Sequence, residues 1–394
     1  MTSIGLDLGT GAIKGVCWNQ QKGVLHKISE RVSFAHPAPD HAELDPRQYR
    51  EQVLQIIDSL AGAAEEKISG ISFAAASGNT LLCTQKGAPL TSIISWLDKR
   101  LKDWLPPEQW QVRKTTGWPA IPTFPLMHLE YFRRTDPELL KNAVVAMNND
   151  YLTWYLCGEH VLDNSNAAPF YFWDQENNTP APYLDYYGLT PSQLPRIVPT
   201  GTTAGTLKKE FCKGNLTPET RIVAGSFDHP AGARAVNVLA PGSMLLSCGP
   251  SWVGFYPCRN RQDVPERELC DTFQSGSGGC WGAMFSVAAV GVEIENFICE
   301  RYGSSSDRYE MFNDEALQGD TPAREKMLEV IRRFKERFQQ HSGVSRIVLS
   351  GGPSEGKAWH KFLEKELRVA VEVSPWHSYT GAVGAAQTAG DICR

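Results

Sequence analysis

A chain of 394 residues is about twice the length of a common single domain, so two domains with a ligand cleft between them are expected. Its 42% hydrophobic and 21% charged residues exclude a disordered chain, and a net charge of -5 speaks against a nucleic-acid surface, which needs clustered Lys and Arg. Ten cysteines without a CxxC pair suggest neither disulfides nor zinc, no apolar run suits a membrane span, and the start lacks an apolar signal region, so a small-molecule partner in a reducing cytoplasm is expected.

The first predicted strand, Ser3 to Leu8, delivers Asp7 into the turn Gly9-Thr10-Gly11, and Ala12 to Trp18 reads as the second strand of a hairpin. A buried-strand pattern from Ser69 to Ala76 ends in Ser77-Gly78-Asn79, and Ser92 to Trp96 reads as a further strand. Leu126 to Arg134 and Asn149 to Leu156 carry helical patterns. Thr190 to Gly205 is rich in Pro and Gly with few periodic apolar residues, which predicts a linker or surface loop with the hinge just after it.

The second half restarts in the same grammar, with the strand Arg221 to Ser226 leading to Asp228 and the strand Ser243 to Cys248 ending at Gly249. Helical periodicity from Ala323 to Gln340 precedes the strand Arg346 to Ser350, the turn Gly351-Gly352-Pro353-Ser354, and a helix from Lys357 to Leu367. Strand, glycine turn and helix N-terminus together form an anion-binding element.

Asp followed by Gly-Thr at a strand end suits a nucleotide phosphate, because the hydroxyl and turn amides meet phosphoryl oxygens while the carboxylate holds hydrated Mg²⁺. The same residues also make ordinary β-turns. Two more glycine turns after apolar strands, at Gly249-Pro250-Ser251 and Gly351-Gly352, favour the phosphate reading.

These segments, in their order, resemble the FGGY carbohydrate kinases. The resemblance runs from Gly5-Leu6-Asp7-Leu8-Gly9-Thr10 through Ser77-Gly78, Trp96-Leu97-Asp98-Lys99-Arg100 and Asp163-Asn164-Ser165-Asn166 to Gly225-Ser226-Phe227-Asp228 and Ser350-Gly351-Gly352-Pro353-Ser354. It implies an α/β protein of two actin-like ATPase (ribonuclease H-like) domains, residues 1–218 and 219–394, with a cleft between them.

The implied activity is transfer of the ATP γ-phosphoryl group to a hydroxyl of a sugar or polyol, with Asp228 as general base and Asp7 and Asp228 serving Mg²⁺. Thr10, Gly11, Lys14, Gly249, Ser251, Gly351, Gly352 and Ser354 are then expected at ATP, and Ser77, Gly78, Asn79, Trp96, Asp98, Arg100 and Asn166 at the acceptor. On residue type alone Asp98 and Arg100 equally suit a local ion pair, and Trp96 a core position. No membrane or nucleic-acid partner is implied, and a homodimer is left open.

Two departures bear on activity. Pro250 stands where the family has Thr, removing a hydroxyl and an amide donor, and the segment from Asp271 to Asp320 is shorter than the family's. They keep open a catalytically weak sugar- or nucleotide-binding protein. An actin-like ATPase acting without sugar is the other alternative.

Overall fold

Near-continuous apolar runs make the central strands of both sheets. In the computed structural model, which describes residues 1–341 and 343–391, the first sheet contains β1 (Thr2–Leu8), β2 (Ala12–Asn19), β3 (Gly23–Arg31), β4 (Ile68–Ala75), β5 (Thr203–Thr206) and β6 (Arg221–Phe227). Its spatial order is β5-β6-β4-β1-β2-β3. The strands β1, β4 and β6 are buried along nearly their whole length, as expected of parallel strands covered on both faces.

Helix α1 (Pro46–Gly62) starts where the Asp45 side chain accepts from the amides of Arg47 and Gln48, with Pro46 as its first residue. It buries Tyr49, Val53, Ile56, Ile57 and Leu60, one helical face, in the same core as Ile4, Leu6, Ile13 and Ile71. Helix α2 (Asn148–Cys157) adds Tyr151, Leu152 and Leu156 to that core.

Parallel register does the positioning. Leu8 pairs with Ala75, and Ala75 pairs with Phe227, so three strands end level with one another. The turn after β1, the Ser77-Gly78-Asn79 segment after β4 and Asp228 after β6 therefore leave the sheet at one edge, the carboxyl edge where open α/β sheets bind ligands. Helix α3 (Asp228–Ala235) begins at Asp228 itself.

By internal contacts the chain forms two units, the first comprising Met1–Ala231, Cys270–Thr272 and the residues from Ala382 on. The expected boundary at 218 precedes β6, and β6 is hydrogen-bonded into the first sheet, so the first unit runs on to Ala231. The expected loop from Thr190 to Gly205 is also structured. Arg196–Val198 pairs with Val161–Asp163, β5 pairs with β6, and Leu194, Val198 and Ala204 are buried. Strands of three and four residues are too short to show a period.

The second unit, Gly232–Leu269 with Phe273–Gly381, contains β7 (Ser243–Cys248), β8 (Trp252–Cys258), β9 (Trp281–Val287), β10 (Arg346–Gly351) and β11 (Ala370–Val373), ordered β9-β8-β7-β10-β11. A hairpin, β7–β8, followed by a parallel neighbour, β10, repeats the arrangement of β1, β2 and β4. Helices α4 (Val290–Tyr302), α5 (Arg308–Leu317), α6 (Pro322–Phe338) and α7 (Trp359–Leu367) complete this unit.

Helix α8 (Thr380–Asp391) belongs to the first unit from Ala382 on. It lies so close to β1 that a Cβ on Gly5 would stand 2.1 Å from the Ala382 carbonyl oxygen and 2.2 Å from the Ala386 nitrogen. The Ser3 hydroxyl donates to the Ala386 carbonyl at 2.7 Å.

Candidate active site

At the carboxyl edge of the first sheet, Asp7 and Asp228 both hold protons unusually well. Each carboxyl is pushed up to about 7, chiefly by burial, although each residue keeps some exposure. For Asp7 the charge of Asp228 raises it further, while Lys14, its partner across the hairpin, acts the other way. Asp228 Oδ1 accepts from the His229 amide at 2.8 Å. The His229 ring lies 3.6 Å from the same oxygen, but burial pushes it down to about 4, so it is neutral near pH 7 and no ion pair forms.

Two desolvated carboxylates that repel one another are a fitting place for a divalent cation. No group of three or more His, Cys, Asp or Glu able to hold a metal occurs among the described residues. Mg²⁺ does not require one, since it commonly takes one or two carboxylates and completes its octahedron with water and phosphate oxygens. Asp7 and Asp228 fit that role.

The turn residues are joined to the expected acceptor residues by side-chain bonds. Trp96 Nε1 donates to the Thr10 hydroxyl at 2.9 Å, and the Trp96 amide donates to Asn79 Oδ1 at 3.1 Å. Ser77 donates to Asn166 Oδ1, and Asn166 donates through its side chain to Asp163 Oδ2 at 2.8 Å and through its amide to Oδ1 at 2.7 Å. Ser77, Asn79, Asn166 and Asp163 are all buried, and Asp163 is pushed up to about 6 mainly by that burial. Gly78, at φ +99°, has the Phe124 ring against it: a Cβ there would meet the ring at 2.4 Å.

Asp98 and Arg100 are engaged with each other. Arg100 Nε donates to Asp98 Oδ1 and Nη2 to Oδ2, both at 2.8 Å, while Nη2 also reaches Glu43 at 2.5 Å. Asp98 Oδ2 takes the Ala42 amide as well, and burial leaves the carboxylate no exposed surface. The pair fixes the segment that carries Trp96. Gly11 is exposed at the turn and Lys14 half-buried on β2.

Sequence reasoning missed the aromatic floor of this edge. Trp118 packs on Phe124 and Phe227 at ring-centre distances of 5.9 and 5.4 Å, and Tyr171 packs on Phe124 at 6.2 Å. Only the abundance of Trp hinted at it, because such rings are ordinary core residues by pattern.

The second unit holds a cavity of about 690 Å³ lined by Gly249, Gly291, Gly352 and Pro353, by Ile294 and Glu295 of α4, and by Trp252, Tyr309, Phe312 and Trp359. Gly351 sits at φ +86° and ψ -169°, where an added Cβ would stand 2.1 Å from the Cys248 carbonyl oxygen. The Ser354 hydroxyl donates to the Gly351 carbonyl at 2.5 Å, so it braces this turn.

At the other glycine turn, the Gly249 amide donates to the Ser251 carbonyl at 3.1 Å, Ser251 Oγ accepts from the Ala289 amide at 3.3 Å, and the Pro250 carbonyl accepts from the Gly291 amide at 2.9 Å. The short segment after Asp271 thus supplies α4, whose first turn closes against Gly249 and Pro250. A Cβ on Gly291 would stand 2.0 Å from the Gly249 carbonyl oxygen.

Residues 2–234 match the model of the FGGY family of carbohydrate kinases, N-terminal domain. The chain belongs to the FGGY family of carbohydrate kinases. It is 27% identical over 268 residues to a gluconokinase of Bacillus subtilis (strain 168), covering 64% of this chain and 51% of that protein. It is 28% identical over 271 residues to a xylulose kinase of Escherichia coli (strain K12), covering 67% and 56% respectively. The chain thus spans about half the length of the curated relatives it matches.

Among solved structures, a ligand-bound xylulose kinase from Lactobacillus acidophilus superposes with a TM-score of 0.85 at 18% identity, covering 100% of this chain and 89% of that one. A Plasmodium falciparum glycerol kinase with ADP gives 0.85 at 14% identity, covering 100% and 89%. These likenesses give the fold, which is the actin-like ATPase fold of α/β class.

Proposed function

We propose that this chain phosphorylates a hydroxyl of a small sugar, ketose or polyol, with Mg-ATP as donor and Asp228 as general base. The observation that carries the reading is Asp228 itself, at the carboxyl edge of three level parallel strands, with its carboxyl pushed up to about 7. A base with a pKa near the working pH combines the right protonation state with useful proton affinity. In this reading Asp228 takes the hydroxyl proton as the acceptor oxygen attacks, and ADP leaves.

The remaining roles follow from chemistry. Ser77, Asn79 and Asn166 offer the paired hydroxyl and amide groups that polyols need, with Gly78 giving close approach and Trp96 an apolar edge. Thr10, whose oxygen is already occupied by the Trp96 indole, keeps its own proton to donate to a phosphoryl oxygen. Lys14 adds positive charge there, and Gly11 leaves room. Mg²⁺ held by Asp7 and Asp228 would neutralise phosphate charge. The cavity lined by Gly249 and Gly352, whose two turns also carry Ser251, Gly351 and Ser354, would receive the nucleotide, with rings against the adenosine. A cytoplasmic setting belongs to the same proposal; no helix among the described residues is long and apolar enough to cross a membrane.

One observation favours a second reading, a catalytically weak sugar- or nucleotide-binding protein that keeps the kinase fold. At the 249–251 turn, Pro250 has no amide proton and the Gly249 amide is already given to Ser251. A coupled ADP-release assay with Mg-ATP over pentoses, ketoses, polyols and sugar acids separates the possibilities. Release that depends on one sugar class is the expected result. Release without sugar would mean an ATPase, and binding of sugar or nucleotide by calorimetry without release would favour the second reading.

A further inference from the structure

The peptide that carries Asp228 is held from behind. Residues Cys270–Thr272 belong to the first unit, although Leu269 and Phe273 on either side of them belong to the second. They are bonded in on both sides: the Cys270 amide donates to the Gly117 carbonyl at 2.9 Å, and the Cys270 carbonyl accepts from Trp118 Nε1 at 3.1 Å and from Gln175 Nε2 at 3.2 Å. The next residue, Asp271, is wholly buried, and its Oδ2 accepts from the Ser165 hydroxyl at 2.6 Å. Ser165 Oγ in turn accepts from the amide of Phe227 at 3.1 Å, one residue before Asp228.

We propose that Asp271, acting through Ser165, is a positioning residue that fixes the junction of β6 and α3 and so aims the Asp228 carboxylate, a role that rests on the phosphotransfer reading above. A hydroxyl donating to a carboxyl oxygen is fixed in direction, so its lone pair is presented steadily to the Phe227 amide. A fully buried acid is poor value as a source of stability, since apolar residues of similar volume often serve as well. Geometry is what it supplies. A base displaced by about 1 Å can lose on the order of 100-fold in rate, and the Asp228 carboxylate is itself bonded to the amide of its own neighbour, His229.

The test has one arm without substrate and one with it. Hydrogen exchange at the Phe227 amide, followed by NMR on the full chain, is expected to quicken at least about tenfold in Ser165→Ala and Asp271→Ala, with the rest of β6 as protected as before. Asp271→Asn keeps an oxygen that can accept from Ser165 and is expected to restore protection. With the acceptor found by the ADP-release panel, both Ala variants should lose about 10–100-fold in kcat with KM for ATP and acceptor within about twofold, and Asp271→Asn should recover most of it.

Unchanged exchange at Phe227, protection lost along all of β6, or an Asn variant as poor as the Ala variant would each overturn the proposal. A wild-type chain that transfers no phosphoryl group would instead overturn the function on which it rests, whatever the exchange result.

Discussion

In the first unit the candidate acceptor edge is built of side chains that hold one another, from Trp96 on Thr10 to Ser77 on Asn166 and Asn166 on Asp163. In the second unit the cavity of about 690 Å³ is built of backbone turns and rings, with Gly351 and Gly291 pressed against the carbonyls of Cys248 and Gly249. Under the proposed function, the difference teaches that two kinds of recognition need two kinds of support. A site that reads hydroxyls depends on directed side-chain bonds, whereas a site that holds a flat ring and phosphates depends on shape and on where glycine lets the chain pass.

The sharpest way to break this comparison is Asp228→Asn, which keeps shape on the first side and removes the base. Single-turnover transfer should fall by ~10²–10⁴ while both ligands still bind. A variant that retains more than about a tenth of the wild-type rate would make Asp228 a helix cap only.

On the shape-dependent side, Gly351→Ala drives a Cβ into the Cys248 carbonyl at a backbone conformation open almost only to glycine, a strain of about 1–3 kcal/mol. Calorimetry should show ATP binding weakened about tenfold or more with sugar binding intact. Equal loss of both ligands would mean that the two kinds of site are not separable.

A pH experiment probes the desolvation of the first site alone. The Asp228 carboxyl lies near 3.8 when unfolded and about 7 when folded, so the folded chain binds the extra proton. That contribution is fully present below about pH 4 and is lost as pH rises through about 7. In chelator, Asp228→Asn should therefore melt above the wild type at pH 8, by an amount equivalent to about 1–3 kcal/mol, and the gap should close towards pH 4. A constant gap across that range would show that burial does not raise this carboxyl.

The smallest expected effect is Pro250→Thr, which restores a hydroxyl and an amide donor at the cavity. A neutral bond is worth roughly 0.5–1.5 kcal/mol, so one new bond to ATP should tighten its binding a few-fold. Unchanged or weaker affinity would mean that the turn, with the Gly249 amide already bonded to Ser251, has no place for the new donors.

Much of this was legible in the chain. Apolar runs ending in Asp7, Ser77 and Asp228 show as strands with polar tips, and only parallel register was needed to bring those tips to one edge. Asp98 and Arg100 illustrate what a motif hides: their spacing does not tell that Glu43 and the Ala42 amide complete the pair, because those partners come from more than 50 residues away. The first unit's extension to Ala231 and its use of Cys270–Thr272 were equally hidden. The first depends on long-range strand pairing and the second on hydrogen bonds to Gly117, Trp118, Gln175 and Ser165, and local periodicity encodes neither.

The closeness of α8 to β1 sets an order of events during synthesis. Gly5 and Ser3 leave the ribosome well before the helix that covers them, which lies some 380 positions later, the Ser3–Ala386 bond alone spanning 383 residues. At 5–20 residues per second that is a wait of roughly 20–80 s. Throughout it, the face of β1 that meets α8 stays uncovered, so the first unit is completed only after the second has been translated. A nascent chain halted before residue 380 should therefore remain bound to chaperones or be sensitive to protease along β1, and one released after α8 should not.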